Sequence, residues 1–238
     1  MANNFFRFRQ FTVYQDKCGM KVGTDGTLLG AWATGGRRIL DIGTGTGLIA
    51  LMMAQRFPEA TVTAIDIDAD ASAQARENVA SSPFTGRIDV AHVSLQDLEE
   101  KAVSQNLQFD SIVCNPPFFN NSLGCPDNKR HQARHADSLP FPTLFHCVRR
   151  LLSADGVFSA VIPSDCMQAF DSAARMEGLS TKRKCLVKTV PRKAAKRILV
   201  EYTLAKVDPL LEEHCIEDGG GERSEWYQNL TKEFYLNS

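Results

Sequence analysis

The segment Leu40-Asp-Ile-Gly-Thr-Gly-Thr-Gly47 constrains the fold of this chain more than any other. It follows a short apolar run at residues 38–42 and precedes apolar residues at helical spacing over residues 48–57. Three glycines between a strand and a helix let the backbone turn sharply and approach a ligand with no Cβ in the way. In an open α/β sheet such a turn lies at the carboxyl edge, where ligands bind. The dinucleotide fingerprint G-x-G-x-x-G would put its third glycine at position 48; that residue is Leu48, and the third glycine is Gly47. Asp41 adds a carboxylate within the first strand and Asp66 another at the end of the second. A carboxylate at Asp66 can accept both ribose hydroxyl protons, as in nucleotide sites generally.

Strand and helix signals alternate onward from that turn. Residues 61–65, 88–93, 109–114 and 156–162 read as strands, with helices at 69–81, 97–104, 144–152 and 166–176. Strands separated by helices imply a parallel sheet covered on both faces. After Gly178 the pattern changes to two strands, 179–190 and 197–205, joined by a basic connection with no helix. The expectation is an α/β, Rossmann-like, mostly parallel seven-stranded sheet with an antiparallel terminal hairpin. One domain spans 1–238: an N-terminal segment (1–35), a core (36–205) that includes the basic hairpin (179–205), and a helix (222–238) capped by Ser224. Apolar residues at 43% and charged residues at 23% exclude a disordered, collagen-like or coiled-coil chain. The start lacks a signal-peptide apolar run, and no apolar stretch is long enough to span a bilayer. Seven scattered cysteines with no C-x-x-C pair fit reduced thiols, hence a cytoplasmic location.

Asn115-Pro-Pro-Phe118 follows the fourth predicted strand and therefore falls on the same edge as the glycine turn. An exocyclic amine on a planar base is a poor nucleophile, because its lone pair is delocalised into the ring. Asn115 can accept one N–H through its side-chain oxygen, and Pro116 the other through its carbonyl. Both acceptors favour a tetrahedral nitrogen and stabilise positive charge developing on it. Pro116 and Pro117 preset the backbone, and Phe118 offers a face for stacking.

The D-x-G-x-G-x-G turn resembles motif I of S-adenosylmethionine-dependent methyltransferases, and Asn115-Pro-Pro-Phe118 resembles motif IV of those that modify exocyclic amines or the glutamine amide. Lys21-Val-Gly-Thr-Asp-Gly-Thr-Leu-Leu-Gly-Ala-Trp32 narrows the resemblance. Together with Gln132-Ala-Arg-His135, residues 191–197 and Phe234-Tyr-Leu236, it is similar over the full length to the bacterial tRNA1(Val) adenine N6-methyltransferase family. The resemblance implies a class I methyltransferase fold, S-adenosyl-L-methionine as donor with S-adenosyl-L-homocysteine as product, and a tRNA adenine as acceptor. Cofactor contacts are expected from Gly23, Thr24, Asp25, Asp41, Gly43, Gly45, Gly47 and Asp66, with Asp25 on the methionine ammonium. Two positions depart from the family. Phe118 stands where adenine-specific enzymes commonly have Tyr. The third strand lacks an Asp at its end, where Ser94 or Gln96 is expected to substitute. Asn115, Pro116, Pro117 and Phe118 are the expected catalytic set. Guanine N2 or glutamine amide transfer, a nicotinamide-dependent oxidoreductase and a non-catalytic RNA chaperone are the alternatives.

A formal charge of −1 conceals a strong asymmetry. Residues 175–199 carry nine basic residues against the single acid Glu177, whereas residues 201–238 carry nine acids against three basic residues. RNA contacts are expected from Lys182, Lys184, Arg192, Lys193, Lys196 and Arg197 of the hairpin, and from Lys129, Arg130, Arg134 and His135 after the Asn-Pro-Pro-Phe. Phe5 to Phe11 interleaves aromatics with arginines, which fits either RNA contact or a strand with a core face. His131 and His135 have helical spacing but no partner ligands, so no metal is expected. The expected partner is tRNA, with no membrane association and a monomeric state.

Overall fold

The computed structural model describes residues 4–18, 21–116 and 139–236. Its strands are β1 (Phe5–Arg7), β2 (Thr12–Tyr14), β3 (Arg38–Ile42), β4 (Thr61–Asp66), β5 (Ile88–His92), β6 (Phe109–Cys114), β7 (Leu152–Pro163), β8 (Ser180–Lys188), β9 (Arg197–Thr203) and β10 (Leu210–Cys215). The helices are α1 (Thr24–Trp32), α2 (Leu48–Arg56), α3 (Ala69–Ala80), α4 (Leu95–Ser104), α5 (Phe141–Leu151), α6 (Met167–Met176) and α7 (Glu225–Thr231). Eight strands form the main sheet in the order β10-β8-β9-β7-β6-β3-β4-β5. All neighbours are parallel except where β9 runs against β7 and β8.

The central strands are apolar because both their faces are covered. Ile39 and Leu40 on β3, and Ile112 and Val113 on β6, are fully buried. On one face α1, α2 and the chain end pack a core around Leu28, Leu51, Met52 and Phe234. On the other, α5 and α6 present Leu144, Phe145, Val148 and Phe170 to Phe158 and Tyr202. Their apolar positions repeat at helical spacing, and Arg149 and Arg150 of α5 face outward.

The sheet has eight strands where seven were expected. The addition is β10, paired parallel to β8 from Leu210↔Arg183 to Cys215↔Lys188. Its sequence, LLEEHC, does not alternate, and Leu210 and Leu211 are exposed. The backbone ladder holds it, with a Lys188–Glu213 ion pair at 2.5 Å. Next to it, the His214 ring stacks on Trp226 of α7 with centroids 4.6 Å apart. The Ser224 hydroxyl donates to the Cys215 carbonyl (2.5 Å) and accepts from the Tyr227 N–H (3.1 Å), capping α7. At the start of the chain, Phe5 to Phe11 resolves toward the core-face reading: β1 and β2 form a small antiparallel ribbon, and Phe8 and Phe11 are buried.

α1 is buried along most of its length, from Gly26 to Trp32. A Cβ at Gly30 would lie 2.7 Å from the Met52 sulfur, so glycine there sets the close approach of α2. The end of α1 is tied by Glu201 of β9, which is 1% exposed. Glu201 accepts from the Thr34 N–H (2.8 Å), the Ser159 hydroxyl (3.2 Å) and the Arg183 guanidinium (3.2 Å at Nε). Arg183 also donates to the Trp32 carbonyl (2.8 Å) and lies 3.7 Å over the Trp32 ring. A buried acid is tolerable only with this degree of pairing. Glu201→Ala should therefore lower the unfolding free energy by about 3–5 kcal/mol, seen as a drop in urea midpoint. Lys17→Ala, which removes an exposed, solvent-screened pair with Glu77 (2.5 Å), should leave the urea midpoint almost unchanged. Equal losses from the two variants would contradict this assignment.

Candidate active site

The glycine turn stands between β3 and α2, with Gly43, Gly45 and Gly47 at φ +68°, +56° and +81°. All three lie in the left-handed region, where an L side chain costs roughly 1–2 kcal/mol. Two carboxylates hold the turn. Asp66 Oδ2 accepts from the Gly45 N–H (2.8 Å), and its Oδ1 from the Asp68 N–H (2.9 Å). Asp41 Oδ2 accepts from the Thr44 hydroxyl (2.6 Å) and the Ala50 N–H (3.1 Å). The Thr44 N–H donates to the Ile65 carbonyl (2.9 Å), joining the turn to β4. Asp41 is fully buried, and its Oδ1 has no partner among the described residues. Burial raises its carboxyl from 3.8 to about 7, against the opposing pull of the Thr44 and Ala50 hydrogen bonds.

The segment before α1 is strapped across this turn by α3. Asn78, fully buried, accepts from the Tyr14 N–H (2.9 Å) and donates to the Tyr14 carbonyl (2.9 Å) and the Thr46 carbonyl (2.8 Å). Gln74, also buried, accepts from the Lys17 N–H (3.0 Å). Neither tie was expected from the sequence, in which residues 69–81 show only a helix. Polar residues on the inward face of an otherwise regular helix were the available signal.

The start of α1, the glycine turn and the end of β6 together border a cleft of about 290 Å³. Its lining includes Gly23, Thr24 and Asp25, the residues Gly43 to Thr46, and Asn115. Lys21, Gly26, Leu48, Ile49 and Arg197 complete the wall, none of which was expected there. A Cβ at Gly43 would meet nothing within 4 Å, so the turn presents bare backbone to open space. Asp41, Gly47 and Asp66 are not in this lining: Asp41 is buried beneath the turn, Gly47 is buried in it, and Asp66 is half-exposed at its side. Gly47 is the N-cap of α2. The cleft thus offers exposed backbone at the turn and, on its wall, one acid and two bases, a set that can meet a ligand carrying both charges.

Other expected residues fall elsewhere. Ser94 and Gln96 are not in the cleft lining. Ser94 instead caps α4, accepting from the Asp97 N–H (3.1 Å) and donating to its carboxylate (2.6 Å), while Gln96 is exposed. Pro116 is buried beside Asn115. Pro117, Phe118, Lys129, Arg130, Arg134 and His135 lie outside the described residues. The basic hairpin divides. Arg192, Lys193 and Lys196 are exposed in the turn between β8 and β9. That turn reaches the carboxyl edge of β6, because β7 is parallel to β6 and its end, Pro163, pairs with Arg197. Lys184 is instead paired with Asp171 of α6 (2.8 Å). Lys182 lies toward the opposite end of β8, whose first residue, Ser180, pairs with the last residue of β9, Thr203. Arg197 was expected on the RNA-facing surface; it forms an ion pair with Asp25 inside the cleft, because the β9 register turns it toward α1.

The Methyltransferase small domain model matches residues 24–129. The tRNA1(Val) (adenine(37)-N6)-methyltransferase of Phocaeicola vulgatus is 50% identical over 239 residues, covering 100% of both chains. That of Parabacteroides distasonis is 47% identical over 239 residues, covering 99% of each. The chain belongs to the tRNA1(Val) (adenine(37)-N6)-methyltransferase family. In fold, it is similar to a solved structure described as a predicted O-methyltransferase from Agrobacterium tumefaciens, with TM-score 0.68 at 19% identity over 88% of this chain and 96% of that one. The expected Rossmann-like methyltransferase architecture is thus present.

Among the described residues no group of three or more His, Cys, Asp or Glu could hold a metal ion, and no helix is long and apolar enough to cross a membrane. The Asp41 carboxyl has a pH consequence for this member of the family. Between its unfolded value of 3.8 and its folded value of about 7, the folded chain holds a proton that the unfolded chain has lost. Stability contributed by Asp41 should therefore fall as pH rises through this window, by at most about 1.4 kcal/mol per pH unit. Chemical denaturation of wild type and Asp41→Asn from pH 4 to 8 checks this. The wild-type curve should decline relative to the variant, and parallel curves would refute the assignment.

Proposed function

We propose that the protein transfers a methyl group from S-adenosyl-L-methionine to the N6 amine of adenine 37 in tRNA1(Val). The observation that carries this reading is Asn115, just past the carboxyl end of β6 and next to Pro116, in the lining of the cleft it shares with the glycine turn, in a chain of this family. S-adenosyl-L-methionine supplies an electrophilic methyl on a sulfonium, an intrinsically good leaving arrangement. The glycine turn presents backbone to the donor without Cβ obstruction, and Asp66 stands at the end of β4 to receive ribose hydroxyls.

Asn115 accepts one N–H of the adenine amine through its side-chain oxygen, and Pro116 accepts the other through its carbonyl. Drawing both protons toward these acceptors frees the nitrogen lone pair from the ring. It also stabilises the positive charge that grows as the C–N bond forms and the C–S bond breaks. No dedicated base is needed: the methylated amine is acidic and releases its proton after transfer. Much of the rate enhancement then comes from holding donor and acceptor in line. An adenine in a structured RNA must leave its stack to reach Asn115, and the exposed Arg192, Lys193 and Lys196 stand on the same edge to hold phosphates.

Asn115→Ala should reduce single-turnover methyl transfer to unmodified tRNA by about 100-fold or more, with S-adenosylhomocysteine affinity within about twofold of wild type. Near-normal turnover would remove Asn115 from the mechanism. The hairpin makes a separate claim. Replacing Arg192, Lys193 and Lys196 together with Ala should weaken tRNA binding and lower the salt slope of log K by up to about 3. Replacing Lys182 and Lys184 should leave that slope unchanged, as read by filter binding across a salt series.

A further inference from the structure

Arg197 is the first residue of β9, far along the chain from Asp25 at the start of α1, yet the two are joined in one ion pair. Both line the cleft with the glycine turn and Asn115. Their side chains are 21% and 47% exposed, so the pair is open to a ligand on the cleft side. The position of Arg197 is fixed by the sheet, since its backbone pairs with Pro163 on one side and Val187 on the other. The contact with Asp25 is made through Nε. A guanidinium so held keeps its terminal N–H groups for a second anion, and its planar fork matches a carboxylate.

An acid and an arginine side by side on the wall of a cleft form a complementary pair for a ligand that carries both charges on one carbon. We infer that Arg197 binds the α-carboxylate of the methyl donor, beside Asp25, which the family resemblance puts on its α-ammonium. In the free protein the two side chains neutralise each other. On binding, that pair is joined by one to the α-carboxylate and one to the α-ammonium, so neither protein charge is left uncompensated. The inference rests on the reading of the cleft as the S-adenosylmethionine site, and it moves Arg197 from the RNA contacts to the donor contacts.

The test is calorimetric titration of wild type, Arg197→Gln and Arg197→Lys with three adenosyl ligands. These are S-adenosylhomocysteine, its decarboxylated counterpart, which lacks only the carboxylate, and methylthioadenosine, which lacks the whole amino-acid end. Wild type should bind the decarboxylated ligand about 10- to 100-fold more weakly than S-adenosylhomocysteine. Arg197→Gln should lose a similar factor for S-adenosylhomocysteine and show almost no preference between the two. Arg197→Lys, which keeps the charge without the fork, should fall between. Methylthioadenosine should bind wild type and both variants alike, which also reports that the adenosine half of the cleft is intact. Arg197→Gln retaining the wild-type preference for the carboxylated ligand would overturn the inference. So would a wild type that binds both amino-acid ligands equally, a comparison that needs no variant to fold. A wild type that binds none of the three would instead overturn the donor-site reading on which the inference stands.

Discussion

The antiparallel hairpin clamps α1 at both ends, and the cleft beside the glycine turn depends on that clamp. At the carboxyl edge of the sheet, Arg197 of β9 pairs with Asp25 in the first turn of α1. Four residues further along β9, Glu201 takes the Thr34 N–H just beyond the end of α1, while Arg183 of β8 takes the Trp32 carbonyl. Four residues of strand advance about 13 Å, and the seven residues from Asp25 to Trp32 rise about 11 Å along a helix. The two spans match, so one strand can hold both ends of one helix. α1 in turn packs against α2 through Gly26 and Gly30, and α2 begins at the glycine turn. The position of the cleft wall relative to its floor is therefore set by charges that come from the last third of the chain.

The floor is secured in a different way. Three left-handed glycines would be free to take many other conformations if nothing held them. Asp66, Asp41 and Asn78 each hold a different point of the turn, at Gly45, Thr44 and Thr46. Asp41 does so from a fully buried site, where burial raises its pKa to about 7. That is a cost in stability at neutral pH, accepted in exchange for a turn with one conformation. Oδ1 of Asp41 has no hydrogen-bond partner among the described residues, the kind of local departure found where function competes with stability.

The parallel core was legible because its rules are local. β3, β4 and β6 are short apolar or β-branched runs with clear glycine, aspartate or proline stops, and these and β5 fall within a residue or two of their expected bounds. The glycine turn and Asn115-Pro116 could be read because their chemistry needs those residue types at that spacing. What could not be read depends on contacts between distant segments. β10 has no alternation of its own and exists because β8 offers an open edge. Asn78 and Gln74 look like surface residues until the N-terminal strap lies over them. Ser94 looked like a ligand contact because it follows β5, but a serine three residues ahead of Asp97 also has the local pattern of a helix cap, and the cap is what forms.

The charge pattern shows most clearly why a count differs from a placement. The basic run in residues 175–199 reads as one surface. Folding sorts it by strand geometry, because successive side chains on a strand point to opposite faces and a hairpin turn points outward. Arg183, Lys184, Lys188 and Arg197 are each drawn to an acid, namely Glu201, Asp171, Glu213 and Asp25. Arg192, Lys193 and Lys196 stay in the exposed turn. Two of the pairing acids, Glu201 and Glu213, come from the acidic stretch after residue 200, so part of the apparent polarity of the sequence cancels internally. What remains for an anionic partner is smaller than the sequence total: Arg175 and Lys182 are exposed elsewhere, and the other three stand together at the edge where Asn115 stands. A short basic turn at that edge can steer a phosphate backbone without spreading positive charge over the whole sheet face.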